Sequence, residues 1–211
     1  MTIRLQLVLL FRANFNAGSL CSQRVTTFIR PATVALKPTI YKFRINLSDV
    51  NRGYYDTLNV TLAQHPSETL ERMMVRVLAY CLNAQEYLTF TKGLSDTDEP
   101  DLWVKSMDDT IPLWIDVGEP GYDRVKKVCR LAQQVIIYCF NSKADMWWSK
   151  EQSKIAQTPA RVMQFPWPAI TALAKMVERT MDISVTITDD SAYVATAQGE
   201  VEINWKQLQN K

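Results

Sequence analysis

The chain has few of the residues that build the most common zinc and nucleophile sites. Its 211 residues include one histidine, His65, which argues against a histidine-based zinc site and against a Ser-His-Asp triad. The four cysteines form no CxxC pair and show no metal-ligand spacing. No apolar run approaches the roughly 18 residues that a membrane-spanning helix needs, so we expect no membrane partner. The remaining candidates for chemistry are carboxylates and basic side chains.

The positions of the cysteines indicate a reduced protein. Cys81 and Cys129 fall on the apolar faces of predicted helices, and Cys139 falls in an apolar segment of strand length. Unpaired core thiols are typical of proteins from reducing compartments. We therefore expect a cytoplasmic location.

Residues 1–33 differ in composition from the rest of the chain, because the first acidic residue is Asp49. The basic residues of this segment are Arg4, Arg12, Arg24 and Arg30. Its one strong apolar run is short for a signal peptide and is flanked by arginine on both sides. One interpretation is an organellar transit peptide. We favour another, in which 1–33 is an extension that is disordered or not translated, the start lies at Val34, and residues 34–211 form a single domain.

The net charge gives no indication of nucleic-acid binding. The chain has 24 basic and 22 acidic residues, a net charge of +2. Without the four N-terminal arginines the balance is 20 basic against 22 acidic residues, a net charge of −2. The slightly basic net charge of the full chain therefore does not indicate a basic surface along which nucleic acid would bind.

The hydrophobic pattern predicts a mixed α+β fold. Alternating apolar residues over 38–48 and 54–63 predict an antiparallel hairpin, and a stripe from Leu70 to Leu82 predicts a helix with Pro66 in its first turn. Further strands are predicted at 89–92, 102–104, 111–117, 135–140, 183–188, 193–196 and 201–205, and helices at 122–133, 144–153 and 170–176. With 47% hydrophobic residues the chain can bury a normal core, so we expect a mixed central sheet with helices packed on it.

Two aspartates border apolar, strand-like segments in the middle of the chain. Asp101 precedes Leu102-Trp103-Val104, and Asp116 lies in the apolar segment 111–117. If the two strands pair, the carboxylates project side by side, which suits Mg²⁺ or Mn²⁺ that activates water for attack on a phosphodiester. The alternative is that both are solvated acids at strand ends.

Further acids and lysines lie on predicted helices. Glu68 and Glu71 could supply a third acid to a metal site, or they could simply favour the N-terminus of their helix. Lys126 and Lys127 could stabilise developing negative charge, or they could form a solvated helix face. The sequence pattern leaves these alternatives open.

A set of short segments along the chain carries a family resemblance. They are Ala35-Leu36-Lys37, Ile40-Tyr41-Lys42, His65-Pro66-Ser67-Glu68-Thr69, Glu71-Arg72-Met73, Phe90-Thr91, Gly93-Leu94, Asp98-Glu99-Pro100 with Trp103, Leu113-Trp114-Ile115 with Gly118, Arg124 with Lys127, and Trp147-Trp148. Through these segments the chain from Val34 onward resembles the YaeQ family of bacterial proteins, and the resemblance covers nearly all of 34–211.

The resemblance implies a compact variation of the PD-(D/E)XK nuclease core. In that core Glu68 or Glu71 would match the helix acid, and Asp101 and Asp116 would match the two strand acids. The position of the core lysine is taken by Gly118, so Lys127 or Lys126 from the next helix would have to replace it.

Two functions follow from these residues. The first is a nuclease or related phosphodiesterase that depends on Mg²⁺ or Mn²⁺ and acts on nucleic acid. Asp101 and Asp116 would hold the metal, and Glu68 or Glu71 would complete the site. Lys127 would position the attacking water or stabilise the developing negative charge. The alternative is a non-catalytic interaction or regulatory protein that binds a protein partner on the same scaffold.

Overall fold

This computed structural model of the chain describes residues 37–210. The strands are β1 Thr39–Asp49, β2 Tyr54–Gln64, β3 Leu88–Phe90, β4 Leu102–Val104, β5 Ile111–Val117, β6 Ala132–Cys139, β7 Arg161–Gln164, β8 Thr180–Thr188, β9 Ser191–Thr196, β10 Gly199–Asn204 and β11 Lys206–Gln209. The helices are α1 Leu70–Leu82, α2 Tyr122–Val128, α3 Ala144–Ile155 and α4 Trp167–Lys175, and a 3-10 turn spans Gly93–Ser95.

The first sheet starts as the hairpin of β1 and β2, which pair antiparallel over all 11 residues of each strand. Gly53 in the turn has a φ of +64°, a conformation that glycine adopts without a Cβ penalty. Every second side chain of β1 is buried and the intervening ones face solvent. The period-two pattern of the sequence thus produces a sheet with one face on the core.

Strand β1 is an interior strand because β8 pairs with its other side in parallel. Strands β8, β9 and β10 continue as an antiparallel meander, so the five-stranded sheet has the order β10-β9-β8-β1-β2. Asn51 and Asp189, which are 138 residues apart, exchange two 2.9 Å hydrogen bonds at the end of the parallel pair. The sheet therefore joins the first and last parts of the described chain.

The second sheet positions the candidate site. It has six strands in the order β11-β7-β6-β5-β4-β3, with β5, β6 and β7 parallel and the outer pairings antiparallel. Parallel neighbours need a crossover connection. Helix α2 supplies the crossover from β5 to β6, and α3 supplies it from β6 to β7.

Two apolar clusters cover the two faces of this second sheet. The larger one joins one face to α1, α4 and the first sheet through residues that include Ile45, Met73, Leu78, Ile115, Ile170 and Ile183. The smaller one joins the other face to α2 and α3 through residues that include Trp114, Val125, Ile137 and Ile155. Alternate side chains of β5 therefore enter different clusters, as expected for a strand that is buried on both faces.

The predicted mixed α+β class is confirmed, and the structure divides the strands between two sheets. The pattern of one strand does not identify its partner, so this division was not predictable. Helix α2 ends earlier than the predicted 122–133 because the chain turns with i−3 hydrogen bonds from Arg130 (3.1 Å) and Leu131 (2.9 Å). The short strands β7 and β11 were not predicted.

Three further expectations concern the cysteines, membranes and the N-terminus. Cys81 and Cys139 are buried, Cys129 is half-buried, and all three are free thiols, as the apolar pattern predicted. None of the helices within 37–210 is long and apolar enough to cross a membrane. The prediction for 1–33 lies outside the described residues.

Candidate functional site

The first part of the site is built at the N-terminus of α1. Thr69 is the N-cap, and its hydroxyl oxygen accepts a 3.2 Å hydrogen bond from the backbone N–H of Arg72. Arg72 and Arg76 follow one turn apart, so their side chains share one face of the helix. That face lies towards Glu68, which precedes the helix and is 5% exposed.

The second part is Asp101, which the chain places immediately before β4. Its backbone N–H donates to the carbonyl of Ile115 at 2.9 Å, which attaches it to β5 just before β4 begins. Its carboxylate accepts a 2.8 Å hydrogen bond from the backbone N–H of Val117. Asp101 is therefore fixed beside the end of β5 and is 4% exposed.

Two arginines and two carboxylates form a buried network between α1 and β4. Arg72 donates to Glu68 at 2.9 Å and to both oxygens of Asp101 at 2.7 and 2.9 Å. Arg76, which is 2% exposed, donates to Glu68 at 3.1 and 3.2 Å, and its Nε lies 3.4 Å from Asp101. Charges buried this deeply must be paired, and here two positive groups match two negative ones.

The environment of Asp101 perturbs its protonation. Burial raises the pKa of Asp101, while Arg72, Arg76 and the N–H of Val117 oppose that rise. The nearby charge of Asp116 adds to the increase in pKa. Asp101 and Asp116 are therefore close enough to interact electrostatically.

Asp116 lies on the same face of β5 as Trp114, two residues before it. Its carboxylate accepts a 3.0 Å hydrogen bond from the indole N–H of Trp114. Arg124 of α2 binds it in a bidentate manner, from Nε at 2.8 Å and from Nη2 at 2.9 Å. The Asp116 hydrogen bonds raise the pKa of Arg124, so this guanidinium is charged at every physiological pH.

Arg124 also holds the loop between the 3-10 turn and β4. Its Nη1 donates to the carbonyl of Thr97, and its Nη2 donates to the carbonyl of Glu99 at 2.9 Å. Its Cζ lies 5.8 Å from the ring centre of Trp114, within the range of a cation–π contact. One side chain therefore links α2, β5 and the loop.

Arg72 and Asp101 of the first network and the pair of Asp116 with Arg124 line one open cleft of about 450 Å³. Its ionisable lining residues are Asp96, Glu99, Asp101, Asp116, Glu119, Arg72 and Arg124. Five carboxylates against two arginines leave an excess of three negative charges. Such a cleft attracts cations and repels anions.

Glu119 shapes the other wall of the cleft. Its carboxylate accepts 3.0 Å hydrogen bonds from the backbone N–H groups of Phe140 and Asn141, and a third from the side-chain amide of Asn141. These bonds tie the end of β5 to the loop that follows β6. The carboxylate is held by neutral donors and makes no ion pair within 37–210.

The structure brings together three of the five site residues predicted from sequence. Asp101 and Asp116 line the cleft. Glu68 does not line it but is joined to Asp101 through Arg72 and Arg76, and all three carboxylates are paired with arginine. Glu71 makes no ion pair among the described residues and does not line the cleft. Lys127 extends outward to Asp98 at 2.8 Å, and both side chains are exposed.

Lys127 therefore lies outside the cleft. Its ion pair lowers the pKa of the exposed Asp98 carboxyl. Lys126 is also exposed, with its Nζ 5.7 Å from the ring centre of Tyr122. Within residues 37–210, no three histidine, cysteine or acidic side chains converge as a metal-ion site.

Sequence reasoning missed the arginines as the principal partners of the site. Arg72 and Arg76 lie off the apolar stripe of α1, which is the pattern of an ordinary solvated face. The spacing of Glu68 to Arg72 was visible as an i,i+4 pair. Nothing in the sequence pattern showed that Arg76 would reach Asp101, which is distant in the chain, or that Arg124 would reach back to Asp116.

Comparisons with known proteins agree on one family. The family model described as YaeQ protein matches residues 34–205. A relative named uncharacterized protein YaeQ, from Salmonella typhi, is 40% identical over 179 residues, 82% of this chain and 99% of the relative. The protein of the same name from Escherichia coli K12 is 38% identical over the same shares of the two chains.

Solved structures show the same likeness in three dimensions. The crystal structure of a YaeQ protein from Xanthomonas axonopodis pv. citri is 35% identical and matches with a TM-score of 0.80, over 82% of this chain and 99% of that one. The YaeQ protein from Pseudomonas syringae is 36% identical and matches with a TM-score of 0.79, over 82% of this chain and 97% of that one. The chain belongs to the YaeQ family.

Proposed function

We propose that this YaeQ-family protein is a non-catalytic interaction protein whose acidic cleft receives a cationic group of a protein partner. One observation carries the proposal: arginine already pairs with both strand carboxylates, Asp101 and Asp116, that the nuclease resemblance assigns to a metal. Arg72 and Arg76 bind Asp101, and Arg124 binds Asp116 through two hydrogen bonds. A metal ion would have to displace charge-assisted hydrogen bonds and leave the arginines without their partners.

The lysine of a nuclease site also has no counterpart in the cleft. Gly118 occupies its position in the sequence, and no lysine among the described residues lines the cleft. The side chain of Lys127 is 62% exposed on its pair with Asp98. The cleft therefore lacks the lysine that would position water or stabilise negative charge in a phosphodiesterase.

The charge of the cleft favours a cation over a phosphate. Asp96, Glu99 and Glu119 line the cleft and make no ion pair within the described part of the chain. Nucleic-acid binding depends on neutralising phosphates with basic side chains, and the two cleft arginines are already engaged by carboxylates. A guanidinium or ammonium group of a partner would supply the missing positive charge.

A metal-dependent phosphodiesterase remains the second candidate, and one observation favours it. Asp101 hydrogen-bonds the backbone of Val117, the neighbour of Asp116, so the two strand acids reach the same cleft. Mg²⁺ or Mn²⁺ needs only one or two protein carboxylates. In this function Arg124 would have to leave Asp116 before the metal binds.

Calorimetry on the full chain distinguishes the two functions. Mn²⁺ and a short arginine-rich peptide are titrated separately into the wild type, Asp116→Asn, Glu99→Gln and the control Glu71→Gln. We expect no micromolar Mn²⁺ binding by the wild type, and peptide binding that weakens in Glu99→Gln and persists in Glu71→Gln. Micromolar Mn²⁺ binding that Asp116→Asn abolishes, together with Mn²⁺-dependent cleavage of DNA or RNA, would replace the proposal with the phosphodiesterase.

A further inference from the structure

Strand β2 is an open edge of the five-stranded sheet. It pairs with β1 on one side, and no described residue pairs with its other side. In an antiparallel strand alternate residues direct their backbone N–H and C=O groups away from the partner. The outer side of β2 therefore presents a row of directed donors and acceptors along 11 residues.

This edge lacks the features that normally prevent pairing with another chain. Short length, proline, lysine and bulges are the usual protections of an edge strand. Strand β2 contains no proline, lysine or arginine, and Asp56 is its only charged residue. Its register with β1 has no bulge, so the strand offers a regular template.

The other three sheet edges are protected. Strand β3 has three residues. Strand β11 has four, with Lys206 at its start and a register irregularity near Gln209. Strand β10 carries Glu200 and Glu202. The absence of protection is therefore specific to β2.

The sequence of β2 is complementary to itself in the antiparallel direction. A two-fold axis at Asn59, the central residue of 54–64, pairs the whole strand with its own copy. Its side-chain pairs are Tyr54–Gln64, Tyr55–Ala63, Asp56–Leu62, Thr57–Thr61, Leu58–Val60 and Asn59–Asn59. Directly opposed like charges destabilise such pairing, and this register contains none.

The pairing would also cover apolar surface that the single chain leaves open. Leu58 is only partly buried at the edge of the core, and it would meet Val60 of the second copy. Tyr55 is 66% exposed and would pack over Ala63 of the second copy. We infer that two copies of this chain associate through antiparallel pairing of β2, which joins two five-stranded sheets into one of ten strands.

A two-fold axis requires the same surface on both copies, which makes a charge-swap test decisive. Asn59→Lys places two lysines opposite each other at the axis, and Asn59→Asp does the same with two carboxylates. An equimolar mixture of the two variants places Lys opposite Asp. Ser184→Lys, exposed on the interior strand β8, is the matched control.

The measurement is sedimentation equilibrium of the full-length proteins. We expect a wild-type dimer, a dissociation constant raised at least about tenfold in each Asn59 variant, which is about 1.4 kcal/mol, and recovery of the dimer in the mixture. Ser184→Lys should match the wild type. A monomeric wild type, or a dimer that neither Asn59 variant weakens, would overturn the inference. The cleft is not part of this surface, so its function is tested independently.

Discussion

The guanidinium of Arg124 and the carboxylate of Asp116 form a bidentate pair, with N···O distances of 2.8 and 2.9 Å. Asp116 is 3% exposed, so this arginine supplies the positive charge that a buried carboxylate needs. The same position is where a divalent cation would bind in the phosphodiesterase interpretation. The pair therefore determines both the stability and the chemistry of the cleft.

Removing this arginine should destabilise the fold. Arg124→Gln leaves the buried Asp116 without its counter-charge and frees the loop carbonyls of Thr97 and Glu99. Breaking a fully buried pair costs about 3–5 kcal/mol. Because the Arg124 side chain is 33% exposed, we expect about 2 kcal/mol. Urea denaturation measures the change, and Lys126→Gln on the same helix should stay within about 0.5 kcal/mol.

Arg76 should contribute more than Arg124. It is 2% exposed and lies between Glu68 and Asp101. Arg76→Leu leaves one net buried negative charge, so we expect a loss of at least about 3 kcal/mol in the free energy of unfolding. Arg76→Lys should recover only part, since an ammonium lacks the planar fork. The exposed Arg130→Leu is the control, and an equal loss there would contradict this account.

Arg124 should also control whether the cleft takes up a metal ion. In Arg124→Gln the carboxylate of Asp116 is no longer bound by a cation, and Mn²⁺ can replace the lost charge. We expect Arg124→Gln to bind Mn²⁺ more tightly than the wild type, and Arg124→Gln with Asp116→Asn to lose that binding. Isothermal titration calorimetry measures both. Absence of Mn²⁺ binding in the single variant would mean that the carboxylates cannot form a metal site.

Stability should fall at alkaline pH because three buried groups resist ionisation. Burial raises the pKa of the Cys81 and Cys139 thiols from 9.0 to about 12, and that of Tyr138 from 10.0 to about 12. The unfolded chain releases these protons at lower pH than the folded chain. The stabilisation is therefore complete below about pH 9 and is lost as pH rises towards 12.

The melting temperature as a function of pH tests this expectation. We expect a decline that starts near pH 9 and that is less steep in Tyr138→Phe. Tyr55→Phe, which removes an exposed hydroxyl, should leave the profile unchanged. A melting temperature that is constant from pH 8 to 11 would contradict the proposed role of burial.

Lys127 should be dispensable for stability and for any function of the cleft. Its pair with Asp98 is exposed on both sides, and such pairs are screened by salt. Lys127→Ala should leave the melting temperature unchanged. The pKa of Asp98, which the lysine lowers, should return towards its ordinary value in an NMR titration. A loss of peptide or metal binding in this variant would restore Lys127 to the site.

The sequence predicted local elements better than long-range partners. The hairpin and α1 follow from apolar spacing. Asp101 and Asp116 were expected to project side by side if their strands pair; the strands do pair, and both residues line one cleft. The arginine partners were not predicted, since Arg124 reaches a carboxylate eight residues back across a tight turn. Lys127 was expected at the site, but its side chain pairs with the exposed Asp98, a partner 29 residues away that the sequence pattern did not reveal.

The parallel pairing of β1 with β8 has a consequence for how the chain folds as it is made. The two hydrogen bonds between Asn51 and Asp189 cannot form until Asp189, 138 residues later in the chain, has been synthesised. At ribosomal rates of about 5–20 residues per second, that delay is on the order of ten seconds. During this interval the β1–β2 hairpin lacks the strand β8 that later pairs with β1, so both edges of the hairpin stay open until most of the described chain has been made.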